Sequence, residues 1–215
     1  MFSFFSPAER FSGRPVQAPG TRVIMDIAST SPAGASVPDG DAPLPTSPDQ
    51  LLARIDALGI QATTHSHPPL HTVEESKALR GALPGGHCKN LFLKDKKDQH
   101  WLVVALEDAR IDLNRLDKLI GSARLSFASA ERLWRFLGIR PGSVTPFALV
   151  NDTGHKVRVV LQQAMMEHEL LNYHPLLNDR TTAIRRDDLL RFIRACGHEP
   201  AIVEFGRTGP GTIGE

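Results

Sequence analysis

Between His87 and Leu106 the sequence writes two apolar runs around a charged turn: Leu91-Phe92-Leu93, then Lys94–Gln99, then Trp101–Leu106. This is the pattern of a β-hairpin or meander, and it commits the centre of the chain to a sheet. Lys89 stands at the mouth of the first strand, where a rigid element holds a working cation best. If residues 88–93 form a strand, neighbouring side chains leave on opposite faces. Cys88 and Lys89 then do not share a pocket, and Cys88 reads as a buried structural thiol.

Helices and strands flank the hairpin in short pieces. Ser47-Pro48-Asp49-Gln50 is a helix start, with serine at the cap and proline at the first helical position. Leu51, Leu52, Ile55 and Leu58 form its apolar stripe, and Gly59 ends it. Ile60–His65 reads as a strand, and His65–His71 as a loop around Pro68 and Pro69. Thr72 and Glu75 form a capping box for a second helix to about Leu79. After the hairpin come a helix over Ile111–Leu119 and a strand at Leu125–Ala128. Ser129 then caps a helix over Ala130–Leu137 that Gly138 stops. Gly142–Pro146 is a loop, Val157–Leu161 a strand, Asn172–Asp179 a polar loop and Thr181–Ile184 a strand. Arg186–Ala195 is an amphipathic helix and Ala201–Phe205 a last strand. Strands and helices interleaved without a regular βαβ beat specify a mixed α/β (α+β) domain.

Residues 47–206 carry this pattern. Pro, Gly, Ser and Ala dominate the preceding stretch, so residues 1–46 read as a disordered extension, or as the product of a start placed upstream of Met25. Residues 207–215 read as a flexible tail. The net charge of +1 excludes a globally basic nucleic-acid binder, so any polyanion site must be local. Cys88 and Cys196 lack CxxC spacing, which argues against a disulfide scaffold or zinc site and suits a reducing, cytoplasmic compartment. No apolar run reaches membrane-spanning length, so no membrane partner is expected.

The chemical motifs are few. His65, His67 and His71 invite a metal reading, but the prolines between them and the absence of HExxH argue for a cleft-lining loop, and no metal is expected. Gly85-Gly86 before Lys89 lacks the spacing of a phosphate-binding loop. No GxSxG elbow supplies a serine nucleophile. Lys89 and Asn90, the Gly142-Ser143-Val144-Thr145-Pro146 loop and His174 remain. They offer a fixed cation, an amide, stiff backbone N–H groups and a group titrating near neutrality. Spacing alone does not assemble them into one site.

Three ordered segments carry a resemblance: Cys88-Lys89-Asn90-Leu91-Phe92-Leu93, Gly142-Ser143-Val144-Thr145-Pro146, and Asn172-Tyr173-His174-Pro175-Leu176-Leu177-Asn178. Together they resemble the YbaK/ProX family of aminoacyl-tRNA deacylases over about Ser47–Phe205. The third segment is similar to the free-standing branch that clears alanine from proline tRNA. The resemblance implies a twisted, partly closed mixed sheet, and hydrolysis of the aminoacyl ester at the tRNA 3′ end without a cofactor. By it, Lys89 holds the terminal adenosine or its phosphate, and Asn90 orients the substrate. Gly142, Ser143, Val144, Thr145 and Pro146 shape the amino-acid pocket, and His174 positions substrate or moves a proton. The implied partners are the acceptor end of tRNA(Pro) and prolyl-tRNA synthetase, with the chain acting as a monomer. Water can be the nucleophile if it is oriented and the oxyanion stabilised.

From Lys89 to Arg140 eleven Lys/Arg face seven Asp/Glu. Lys94, Lys96, Lys97, Arg132, Arg135 and Arg140 are the candidates for phosphate contact, predicting weak, salt-sensitive tRNA binding. Two other readings stand beside the leading one: deacylation of cysteine or serine from tRNA, and a non-catalytic tRNA-binding module.

Overall fold

The computed structural model describes residues 42–67 and 83–206. The helix expected from Thr72, His71, residues 1–41 and the tail from 207 lie outside the described residues. Eight strands are described: β1 (Ala62–Ser66), β2 (Gly86–Asp95), β3 (His100–Leu106), β4 (Leu125–Phe127), β5 (Val157–Gln162), β6 (Leu170–Tyr173), β7 (Arg180–Arg185) and β8 (Ala201–Val203). Four helices accompany them, α1 (Pro48–Ala57), α2 (Leu113–Ile120), α3 (Ala130–Leu137) and α4 (Arg186–Ala195), with 3-10 turns at Pro146–Asn151 and Gln163–Glu167.

The hairpin is β2–β3, antiparallel from Cys88 opposite Leu106 to Lys94 opposite His100. It lies at the centre of one mixed sheet ordered β1-β7-β6-β2-β3-β5-β8, with β4 also paired to β2. Alternation along the hairpin separates two apolar layers. Phe92, Leu102 and Val104 pack with Leu51 and Ile55 of α1, Leu133 of α3 and Phe192 of α4. Leu93, Trp101 and Val103 pack with Leu116 of α2 on the other face. Because both faces are covered, β3 is buried from His100 to Ala105, and its sequence is apolar without alternation.

The helix ends follow local chemistry. Ser47 and Gln50 form the reciprocal capping box of α1. The Ser129 hydroxyl accepts from the Arg132 N–H at 3.3 Å to start α3, and Gly138 ends it at φ +60°. A Cβ on Gly138 would lie 2.4 Å from Cγ of Pro45. That close approach seats residues 42–46 against the domain. The Thr46 hydroxyl donates to Asn151 Oδ1 at 2.7 Å, and the Arg140 guanidinium donates to the Ala42 carbonyl at 2.6 Å.

One element differs from the sequence reading. Residues 172–173, expected in a loop, belong to β6, and Asn172 and Tyr173 are buried. β6 runs parallel to β2, with Gly86 opposite Leu171 and His87 opposite Asn172. The glycine pair explains how two strands meet there. A Cβ on Gly85, at φ +105°, would lie 2.7 Å from the Leu170 carbonyl, and one on Gly86 would lie 2.9 Å from the His168 ring. The pair serves close backbone approach between strands.

Candidate active site at the split beside strand β2

Two strands share one edge of β2 without meeting. β6 pairs only with Gly86 and His87, and β4 only with Leu93–Asp95. The Glu107 N–H donates to the His87 carbonyl on the β3 side, whereas the Ala128 N–H donates to the Phe92 carbonyl on the other side. Backbone polar groups alternate along a strand, so the N–H and C=O of Asn90 face the split between β6 and β4. The Asn90 backbone is thus the candidate main-chain donor at this strand edge.

Lys89 stands on β2 between the two paired stretches, and His174 follows the last residue of β6. Lys89 is three residues into β2 from Gly86, and His174 three residues on from Leu171, the partner of Gly86. Both stand beyond the last paired residues, His87 and Asn172. The Lys89 ammonium donates to the Glu107 carbonyl at 3.0 Å and to the Ala109 carbonyl. An ammonium has three N–H donors, so one stays unengaged among the described residues. The two carbonyls aim the side chain from the segment that follows β3.

His174 is held as firmly. Its Nδ1 lies 3.0 Å from the Arg180 carbonyl, which can only accept. Nδ1 therefore carries the proton, and in the neutral ring Nε2 is the acceptor. The Arg180 guanidinium is itself tied to Asp49 of α1 at 2.8 Å. Burial pushes the His174 pKa below its ordinary value, the Arg180 carbonyl acts the other way, and neighbouring His67 lowers it further. The His67 and His174 rings stand edge to face at 6.3 Å. The second nitrogen of His67 lies 3.0 Å from the Thr181 hydroxyl. His67, grouped in the sequence with His65 and His71, thus belongs beside His174.

Asn90 and Lys89 do not present their side chains to one face. Alternation sends Lys89 with Leu91 and Leu93, and Asn90 with Cys88 and Phe92. The Asn90 Oδ1 is buried without a hydrogen-bond partner among the described residues. Its backbone reaches the split and its amide faces the other layer. Cys88 lies beside Tyr173, and burial pushes its thiol up to about 12, against the pull of the Tyr173 hydroxyl and with the Glu107 charge. Such a thiol stays protonated at neutral pH and is no nucleophile.

The Gly142–Pro146 segment stands one layer away. Gly142 has φ +89°, and open space lies where a Cβ would point. Ser143 is buried, and its N–H donates to the Arg140 carbonyl at 3.2 Å. Val144 packs against the larger core. Thr145 is fully buried and caps the 3-10 turn by accepting from the Phe147 N–H, with Pro146 at the first position. Phe147 then meets Tyr173 edge to face at 5.8 Å, linking this turn to β6. Asn172, missed as a strand residue, ties the strands together: its Nδ2 donates to the Pro84 carbonyl at 3.0 Å, at the entry to β2. It also lines a cleft of about 810 Å³ with Thr63, His65, Ala183 and Arg185. The signal was present in the quoted Asn-Tyr-His segment, but a four-residue strand after Glu167-His168-Glu169 carries too little pattern to be read.

The six basic candidates divide. Arg132 pairs with Asp98 at 2.7 Å and reaches His100 at 2.9 Å. Arg140 is engaged by the Ala42 carbonyl and lies over Trp134. Arg135 lies over Phe136. Lys94 is half-buried, and Lys96 and Lys97 are exposed around the hairpin turn.

A mixed sheet split beside a held lysine and a histidine of fixed tautomer is the candidate site. The chain belongs to the aminoacyl-tRNA editing domain family, whose model matches residues 67–192. It is 40% identical to prolyl-tRNA synthetase associated domain-containing protein 1 of Mus musculus, over 73% of this chain and 95% of that protein. It is 37% identical to the prolyl-tRNA editing protein ProX of Acetoanaerobium sticklandii, over 72% of this chain and 95% of that one. The fold is also that of a proposed trans-editing enzyme for prolyl tRNA synthetase, with a TM-score of 0.58 at 19% identity over 74% of this chain and 97% of that one. No helix among the described residues is long and apolar enough to cross a membrane.

Proposed function

We propose that this chain is a trans-editing hydrolase that removes alanine from mischarged tRNA(Pro). The observation that supports the reading is that Lys89 and His174 each stand three residues beyond the paired Gly86 and Leu171, on strands that part beside the split. Lys89 places its unengaged N–H on the terminal adenosine or its phosphate, a charge-assisted bond that fixes the ester at the strand edge. The Asn90 backbone N–H stabilises the oxyanion as it forms. Neutral His174 accepts a proton from water at Nε2 while the water oxygen bonds to the ester carbonyl carbon. When the tetrahedral intermediate collapses, the bond from that carbon to the ribose oxygen breaks. The ribose oxygen takes the proton back, and alanine and tRNA leave. The Gly142–Pro146 turn, stiffened by Thr145 and Pro146, forms the wall that excludes larger side chains and the proline ring. Steric exclusion of this kind discriminates strongly, whereas one methyl distinguishes alanine from glycine only about 10–200-fold.

The test is deacylation of alanyl-, cysteinyl-, seryl- and prolyl-tRNA(Pro) by the purified chain. Rapid loss of alanine with prolyl-tRNA(Pro) spared supports the reading. Preference for cysteine or serine moves the specificity, and turnover of none of the four overturns the hydrolase.

A further inference from the structure

Asn172 carries a polar atom that the fold itself leaves without use. The residue is only 4% exposed. Its Nδ2 donates to the Pro84 carbonyl at 3.0 Å. A carbonyl can only accept, so this bond fixes which end of the amide is the nitrogen. Oδ1 is the other end, buried and without a hydrogen-bond partner among the described residues. An unmet buried acceptor opposes folding, so its presence calls for a donor from elsewhere.

Strand register shows what shares its side of the sheet. Asn172 is opposite His87 in the parallel β2–β6 pair. Partners in register share a face, and alternation puts Lys89 on the face of His87. On its other side Asn172 is opposite Ala183, and Ala183 is opposite Thr63. Asn172, Ala183 and Thr63 line the cleft of about 810 Å³. Lys89 follows His87 by two residues and His174 follows Asn172 by two, a step of about 6–7 Å along a strand. The cleft thus adjoins the two residues given to the ester. Its charges suit a cation. Asp56 brings a carboxylate to the lining, and Arg185, which also lines it, is paired with Glu169 at 3.0 Å.

An aminoacyl ester carries one cation beside its carbonyl, the α-ammonium, which has N–H donors and no acceptor. We infer that Asn172 Oδ1 accepts a hydrogen bond from the substrate's α-ammonium, so that the cleft takes the amino end while Lys89 and His174 take the ester. This rests on the functional reading above and names the group that seats beside β6. It adds a binding residue that touches no bond being broken.

The test compares alanyl-tRNA(Pro) with lactyl-tRNA(Pro), which puts a neutral hydroxyl where the ammonium stands. Each kcat/KM is divided by the rate of hydrolysis without protein. The wild type is expected to prefer the alanyl ester about 5–15-fold, because a charge-assisted hydrogen bond is roughly twice as strong as a neutral one. Asn172→Ala and Asn172→Asp both lose the bond to Pro84, but only Asn172→Ala loses the acceptor. Asn172→Ala should bring the preference to about one, chiefly by raising KM for the alanyl ester. Asn172→Asp should keep or enlarge it. Equal loss on both esters in both variants makes Asn172 a strand tie only and overturns the inference. If neither variant folds by circular dichroism, the wild-type ratio still decides, and a ratio of one overturns it. Wild-type turnover of both esters at one rate would sink this inference and leave the hydrolase standing; turnover of neither would sink both.

Discussion

Replacing Lys89 should cost stability as well as activity, and the two losses are separable. The ammonium donates to the carbonyls of Glu107 and Ala109, and Ala109 is fully buried. Lys89→Ala leaves those carbonyls without this donor. Hydrogen bonds to charged groups contribute ~1.5–3 kcal/mol each, but the side chain is half-buried and water replaces part of the loss. A total of about 1–3 kcal/mol follows. For a domain of this size each kcal/mol moves Tm by about 2–4 °C, so the variant should melt roughly 2–12 °C lower. Thermal unfolding followed by circular dichroism reads this directly. Lys89→Arg, which keeps the charge and donors, should recover much of the stability but not the activity, because the longer planar head moves the cation. An unchanged Tm in Lys89→Ala would refute the reasoning, because the ammonium would not be held by those carbonyls.

The pKa of His174 is lowered, so it stays a base below the ordinary imidazole range. The acid limb of the deacylation rate should lie below about pH 6.5, and His174→Gln should remove it; a limb above that pH would contradict the assignment. Burial likewise lowers the pKa values of His100 and His198. In all three the unfolded chain binds protons more tightly, so stability is present above the unfolded value and lost as pH falls below about 6.5. The urea midpoint should drop between pH 7 and pH 5, and a constant midpoint would count against it. Cys88→Ala should leave the deacylation rate intact, since its thiol stays protonated; loss of turnover in a folded variant would reopen a thiol nucleophile. Gly85→Ala must place a Cβ 2.7 Å from the Leu170 carbonyl at φ +105° and should destabilise by at least about 1–3 kcal/mol, read by denaturant titration.

The hairpin was legible because Leu91-Phe92-Leu93 and Trp101–Leu106 bracket a turn that no core could bury. The caps of α1 and α3 were legible because Ser47, Gln50 and Ser129 act over one turn of chain. β6 was not, because four residues carry too little pattern and its partner β2 is distant in sequence. The same non-local pairing hid the best part of the site. Nothing near His174 in sequence places it on the strand that joins β2, and nothing near His67 places its ring against His174. The alternation rule that separated Cys88 from Lys89 also separates Lys89 from Asn90. Asn90 therefore reaches the split through its backbone, a role that no side-chain motif encodes. The basic cluster was read as one patch, but Asp98, the Ala42 carbonyl and Phe136 engage Arg132, Arg140 and Arg135.

The most direct test of the account is single-turnover hydrolysis of alanyl-tRNA(Pro) by the wild-type chain and by Lys89→Ala, at a temperature where circular dichroism shows both folded. The account predicts rapid release of alanine by the wild type and a rate at least about 10²–10³-fold lower in the variant, the scale of losing one preorganised charge at the reacting ester. A folded Lys89→Ala that releases alanine at the wild-type rate would remove the split beside β2 from the chemistry.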